Sequence, residues 1–238
     1  MTAGRVYLIG SMQGGTGSDM IDTALGALLA QGKRTLNVAV SYAAIAENQD
    51  ALEFMSKRLP ALFESSVPGT VVTRFTLSGE PGAGELTDAR RIVEAADFIF
   101  LGGGDPVTGA RIFRESGADA WLRAARVRGT SLGGVSAGAI LLGAWWATWP
   151  TAETDAPFAG GELVPCTQAV SDLVLDCQDE EGEWSELRMV AAMLEDRGET
   201  VRVLGIPSGG GVVVLPSGEL EIVGEDPVRF GESAGGVL

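Results

Sequence analysis

The chain has 238 residues, 45% hydrophobic and 21% charged, with 34 glycines; this excludes disorder and suits one α/β domain over 1–238. Its 32 acidic against 17 basic residues give a net charge of −15, a field that repels phosphate backbones and anionic lipid and argues against nucleic acid and membrane partners. Two cysteines, Cys166 and Cys177, found no disulfide framework, and without a single histidine they cannot build the usual zinc sites, so neither metal nor cofactor is expected.

The N-terminal M-T-A-G-R-V-Y-L-I-G enters an apolar strand without a signal-peptide core, and no apolar run reaches the roughly 18 residues that span a bilayer, so a cytoplasmic location is expected. Val6–Ile9 reads as the first strand. The glycine-rich turn G-S-M-Q-G-G-T-G follows, with Ser18 or Asp19 as cap of a helix over Met20–Gln31. Leu36–Val40 is a strand, and the helix near Asn48–Phe63 contains Pro60, which is expected to bend or shorten it. Val71–Leu77 is a strand, Thr87–Ala95 a helix, and Phe98–Leu101 a wholly apolar strand of the buried parallel kind. After Gly102–Pro106 a helical region runs to about Arg128. Ser131–Val135 is a strand and Ala137–Trp146 an apolar helix, with 150–170 read as loop. Leu173–Leu175 is a strand, Ser185–Arg197 a helix, and Val201–Ile206, Gly211–Leu215 and Leu220–Val223 are closing strands, the last two joined by a turn at P-S-G, 216–218. This alternation argues for βαβ units: a three-layer α/β/α sandwich with a mostly parallel sheet.

Two motifs carry chemistry. Gly134-Val135-Ser136-Ala137-Gly138 matches G-x-S-x-G between an apolar strand and an apolar helix, where small neighbours let strand and helix approach and the serine sits on a strained turn. Backbone N–H groups at the helix start favour a developing negative charge. The run Gly102–Asp105 follows a buried strand, so Gly103 and Gly104 could join the Ala137 N–H in an oxyanion hole. Asp105 lines that pocket or caps the next helix; both readings stay open. G-G-T-G at 14–17 fits neither a dinucleotide fingerprint nor a phosphate loop, which needs a lysine. Trp145, Trp146 and Trp149 line a pocket or pack a helix and its exit.

Three segments together resemble the dipeptidase E and cyanophycinase family of serine peptidases, which has a class I glutamine amidotransferase-like fold. L-G-G-V-S-A-G-A resembles its G-x-S-A-G-A, F-L-G-G-G-D-P its glycine segment about thirty residues upstream, and G-E-W-S-E-L-R-M with V-L-G-I-P-S-G-G-G its later helix and strand. The resemblance implies a Ser-His-Glu or Ser-His-Asp triad that cuts peptide or isopeptide bonds beside acidic residues, and a small peptide or amide ligand; a homodimer is considered. Ser136 matches the nucleophile. Gln178, in Asp176-Cys177-Gln178, stands where the histidine is expected, and Ser208, in Pro207-Ser208-Gly209, where the acid is expected. Glu180, Glu181 and Glu183 occupy the region of the family's substrate-gripping arginines, and Asp176 and Cys177 belong to the implied pocket.

A serine hydroxyl needs an adjacent base, and glutamine can donate a hydrogen bond but cannot shuttle a proton. The remaining candidates are Asp176, Asp179 and Glu180, whose pKa burial would have to raise, or the Cys177 thiol. The departures imply a catalytically impaired peptidase homologue that binds a ligand or partner. The alternative is an active hydrolase with a non-standard base. A glutamine amidotransferase, which needs a cysteine at the turn and a histidine, is the third reading.

Overall fold

Alternation along Val6–Ile9 (β1) decides the layering: Val6 and Leu8 belong to one apolar cluster, Tyr7 and Ile9 to another on the opposite face of the sheet. The computed structural model describes residues 2–45, 49–77, 83–149 and 160–230. Its elements continue with α1 (Thr16–Ala30), β2 (Asn37–Ser41), α2 (Gln49–Ser66), β3 (Val71–Arg74), α3 (Ala83–Ala95), β4 (Phe98–Leu101), α4 (Pro106–Ser116), α5 (Ala118–Val127), β5 (Ser131–Val135) and α6 (Ala137–Leu142). The last third holds β6 (Trp145–Thr148), β7 (Glu162–Pro165), β8 (Leu173–Cys177), α7 (Ser185–Asp196), β9 (Arg202–Ile206), β10 (Gly210–Val214), β11 (Leu220–Gly224) and β12 (Val228–Phe230).

Seven strands form the central sheet in the order β11-β10-β1-β5-β4-β2-β3. It is mostly parallel, because helical crossovers join β1 through β5, while β10 and β11 add antiparallel at one edge. The α1 and α2 side chains Met20, Leu25, Leu28, Leu59 and Phe63 cover one face, and α3 to α6 cover the other. The mixed α/β sandwich expected from the alternation is therefore present. No helix among the described residues is long and apolar enough to cross a membrane.

Strand boundaries agree best where a short apolar run ends in glycine, as in β1 and β4, or runs into the serine motif, as in β5. Several expectations need correction. The first helix starts at Thr16, with Gly15 at φ 96° as its cap and no side-chain capping bond, so neither Ser18 nor Asp19 caps it. The second helix continues through Pro60 to Ser66, since Leu59 and Phe63 on either side of the proline are buried and hold it in place. The third starts at Ala83, not Thr87, and the region before Arg128 is two helices parted at Gly117, whose φ of 71° ends α4.

The apolar helix after Ser136 stops at Leu142 instead of reaching Trp146. Gly143 turns extended, and the Ala144 N–H donates to the Leu173 carbonyl at 2.7 Å, drawing Trp145–Thr148 into an antiparallel pair with β7. That pair places a strand inside the segment read as loop; residues 150–159 of that segment lie outside the described residues. The closing strands also divide: β8 and β9 pair in parallel, and β12 joins β9, as a separate three-stranded sheet. The turn at 216–218 does link β10 and β11, with the Gly218 N–H on the Leu215 carbonyl at 2.9 Å.

Phe63 anchors α2 on the sheet, fully buried, with its ring edge-on to Phe98 and Phe100 at 6.1 and 5.5 Å. Phe63→Ala is expected to cost about 3–5 kcal/mol of stability, measured by urea unfolding.

Candidate active site

The carboxyl ends of β1, β5 and β4 lie side by side, with Ile9 opposite Val135 and Leu101 opposite Gly134. Ser136 follows β5 directly. It holds φ 54° and ψ −127°, a conformation costly for a residue with a Cβ, and its N–H donates to the Ile9 carbonyl at 3.0 Å. Its hydroxyl does not cap α6. The turn is held by two close backbone approaches. A Cβ on Gly138 would stand 2.1 Å from the Leu101 carbonyl oxygen, and one on Gly134 would stand 2.3 Å from that of Gly138. Only glycine lets the first turn of α6 press so tightly against β4 and β5.

That packing brings the glycines after β4 to the serine. A Cβ on Gly103 would be 3.3 Å from Ser136 Cβ and 3.8 Å from its Oγ. The Gly102 N–H donates to Ser41 and the Asp105 N–H to Ala44, whereas among the described residues the N–H groups of Gly103, Gly104 and Ala137 donate to no carbonyl. Of these, Gly103 lies against the serine in space and Ala137 follows it in sequence. Both carboxylate oxygens of Asp105 are taken up at the start of α4, by the Val107 N–H at 3.0 Å and the Thr108 hydroxyl at 2.7 Å. Asp105 is the cap of α4.

On the other side of β1, the Cys177 thiol points at the same Ile9 carbonyl, 3.9 Å away. Burial raises the pKa of this thiol well above its usual value, and the nearby charges of Asp176 and Glu180 add to the effect, so it is no ready thiolate. Gln178 ends β8 exposed, at φ 62°, with its N–H on the Ile206 carbonyl at 3.0 Å. Ser208 follows β9 half-buried, and its backbone N–H donates to the Glu180 carboxylate. The residues at the expected base and acid positions therefore carry no group that takes up a proton at neutral pH.

Asp176 is 6% exposed, and its Oδ1 accepts the Cys177 N–H at 2.7 Å. Burial pushes its pKa up to about 7; that hydrogen bond opposes the shift, and the charges of Asp179, Glu186 and Glu180 reinforce it. Asp179 and Glu186 are raised in turn, each first by burial. Two contributors escape the sequence. The Ile9 carbonyl ties Ser136 and Cys177 together, and Glu186 joins the acidic group only because α7 packs beside β8. Among the described residues no cluster of three or more such side chains is arranged to hold a metal ion.

The signature of peptidase family S51 matches residues 9–176, most of the chain, including Ser136 and the glycines at 102–104. The chain belongs to peptidase family S51. Among solved structures, a peptidase from an acI-B1 Actinobacterium is 16% identical, with 100% of this chain and 97% of that one covered at a TM-score of 0.69. A putative peptidase E protein from Listeria monocytogenes EGD-e is 14% identical, with 94% and 100% covered at a TM-score of 0.59. These likenesses show a shared fold. No curated protein matches in sequence.

Two variants test this geometry. Gly138→Ala, which in an ordinary helix would gain about 1 kcal/mol, is expected here to lose about 3 kcal/mol in urea unfolding, because backbone must move. Asp176 has a folded pKa raised from 3.8 to about 7, so its stability contribution is full below pH 3.8 and lost as pH rises through 7. Asp176→Asn should therefore match the parent near the low end of that window and exceed it by on the order of a few kcal/mol above pH 7.

Proposed function

We infer that this S51 member keeps the serine turn and its glycine cradle to bind a small peptide or amide ligand, and has lost the Ser-His chemistry of a peptidase. The observation that carries this reading is the absence of histidine from all 238 residues, together with glutamine at the position of the base. Without a base the serine hydroxyl is a poor nucleophile, and loss of a triad member typically removes several orders of magnitude of rate. Ser208 at the position of the acid leaves a new imidazole nothing to orient it. The unclaimed N–H groups of Gly103, Gly104 and Ala137 remain suited to a carbonyl or carboxylate oxygen. Asp176, Asp179 and Glu180 disfavour a second anionic group beyond it.

One observation favours a working hydrolase instead. Asp176, with a pKa near 7, has the basicity that proton abstraction at neutral pH requires. In that case Ser136 reacts with a fluorophosphonate probe increasingly as pH passes 7, and both Ser136→Ala and Asp176→Asn abolish the reaction.

The expected result is no Ser136-dependent labelling between about pH 4 and pH 8, a span that reaches from well below the pKa of Asp176, about 7, to above it. Rapid labelling that Ser136→Ala removes overturns the binding-only reading. The paired variant Gln178→His with Ser208→Glu should gain labelling by at least about 100-fold over the parent, the usual worth of a positioned general base.

A further inference from the structure

The glycine run after β4 is tied at its ends and untied in its middle. The Gly102 N–H donates to the Ser41 carbonyl at 2.9 Å, and the Asp105 N–H to the Ala44 carbonyl at 2.8 Å. Between these bonds the N–H groups of Gly103 and Gly104 donate to no carbonyl among the described residues. Glycine has more backbone freedom than any other residue, so bonds at the two ends leave the direction of the middle amides open. A neighbour that fills the space beside the run closes that freedom.

Tyr42 is such a neighbour. β4 lies between β2 and β5 in the sheet, so Tyr42, which follows β2, and Ser136, which follows β5, flank the run from opposite sides. Tyr42 is 5% exposed and presents its ring edge: a Cβ on Gly102 would stand 2.9 Å from Cδ1 and 3.5 Å from Cε1. Gly102 can neither carry a side chain there nor swing toward the ring. The ring is itself held on two further sides. Its Oη donates to the Met55 carbonyl of α2 at 3.1 Å, and the Arg74 guanidinium at the end of β3 lies over its face, 5.7 Å from the centroid. Burial pushes the phenol's pKa up to about 12 against the opposing charge of Arg74, so near neutrality the hydroxyl keeps its proton and remains a donor.

We propose that Tyr42 is a positioning residue of the serine site: its ring, anchored to α2 through Met55 and to β3 through Arg74, holds the Gly103 and Gly104 N–H groups in one direction and so sets the fit of a ligand oxygen beside Ser136. Tyr42 acts through Gly102 and not on the ligand. The inference rests on the reading of the serine turn as a binding site; the packing of Tyr42 on Gly102 is independent of it.

The test measures nitrogen-15 relaxation of the full chain, and titrates it with the neutral peptide N-acetyl-alanyl-alanine amide while following the Gly103 and Gly104 amide signals. Tyr42→Phe keeps the ring edge and loses only the bond to Met55, whereas Tyr42→Val has no atom at the δ position and leaves Gly102 unsupported. Without peptide, the order parameters of Gly103 and Gly104 should fall from about 0.85, typical of rigid backbone, to below about 0.6 in Tyr42→Val and stay near the parent's in Tyr42→Phe. Peptide binding should weaken by about tenfold in Tyr42→Val, the worth of one well-placed hydrogen bond, and by less than about twofold in Tyr42→Phe. Gly102→Ala drives a methyl against the same ring with Tyr42 intact, and should weaken the peptide by a similar tenfold even where Tyr42→Val folds poorly. Packing that serves stability alone would lower the melting midpoint of Tyr42→Val and leave both amide order and peptide affinity at the parent's values. That result overturns the proposal, as does equal behaviour of the Phe and Val variants. If the parent's Gly103 and Gly104 signals ignore the peptide, the binding reading of the serine turn falls, and the peptide-free relaxation still decides whether Tyr42 holds the run.

Discussion

The contact between the Leu101 carbonyl and Gly138 governs the rest of the carboxyl rim. No side chain fits between the end of β4 and the first turn of α6, with 2.1 Å left for a Cβ. Because β4 and β5 are hydrogen-bonded neighbours, that turn is pinned above both strands at once. Ser136 is then forced into its left-handed conformation, and the chain leaving β4 has to pass beside it. The closeness of Gly103 to the serine follows from main-chain packing alone. A site of this kind survives the loss of reactive side chains, since none of its geometry is made by them.

The two ends of the sheet differ in electrostatic character. At the carboxyl end, Asp176 and Asp179 sit near Glu180 and Glu186, and burial keeps Asp176 partly protonated at neutrality. At the amino end, Arg5, Lys33 and Arg128 line one hollow with a single acidic residue, Asp97, which pairs with Lys33. Net charge, a single number, averages over this division. A strongly acidic chain can keep a local preference for anions where its few cations gather.

How much of this was legible in the sequence depends on range. The strands β1 and β4 could be bounded because each is a short apolar run closed by glycine, and β5 because it runs into the serine motif; Ser136 with Gly103 and Gly104 could be singled out because a local motif carries them. Trp145 and Trp146 were misread as the end of a helix because their pairing partner, Glu162–Pro165, lies beyond a segment with no periodicity of its own. The proximity of Glu186 to Asp176 was likewise invisible, since it depends on how α7 packs. Asp105 was ambiguous in principle: the same residue type caps helices and lines pockets, and its two hydrogen bonds establish the cap.

Ser136, Gln178, Glu183 and Trp184 all hold positive φ angles without being glycine, and all four belong to the carboxyl rim or the segment that leaves it. Each such residue stores on the order of 1 kcal/mol, held in place by the strands beneath. The rim is accordingly a loaded part of the molecule resting on a relaxed one. Under mild denaturant it should open as a local unit while the central strands stay shut, releasing its amide protons to solvent early. Any ligand that settles on the rim would be felt first as a slowing of that exchange, well before it altered the unfolding of the whole.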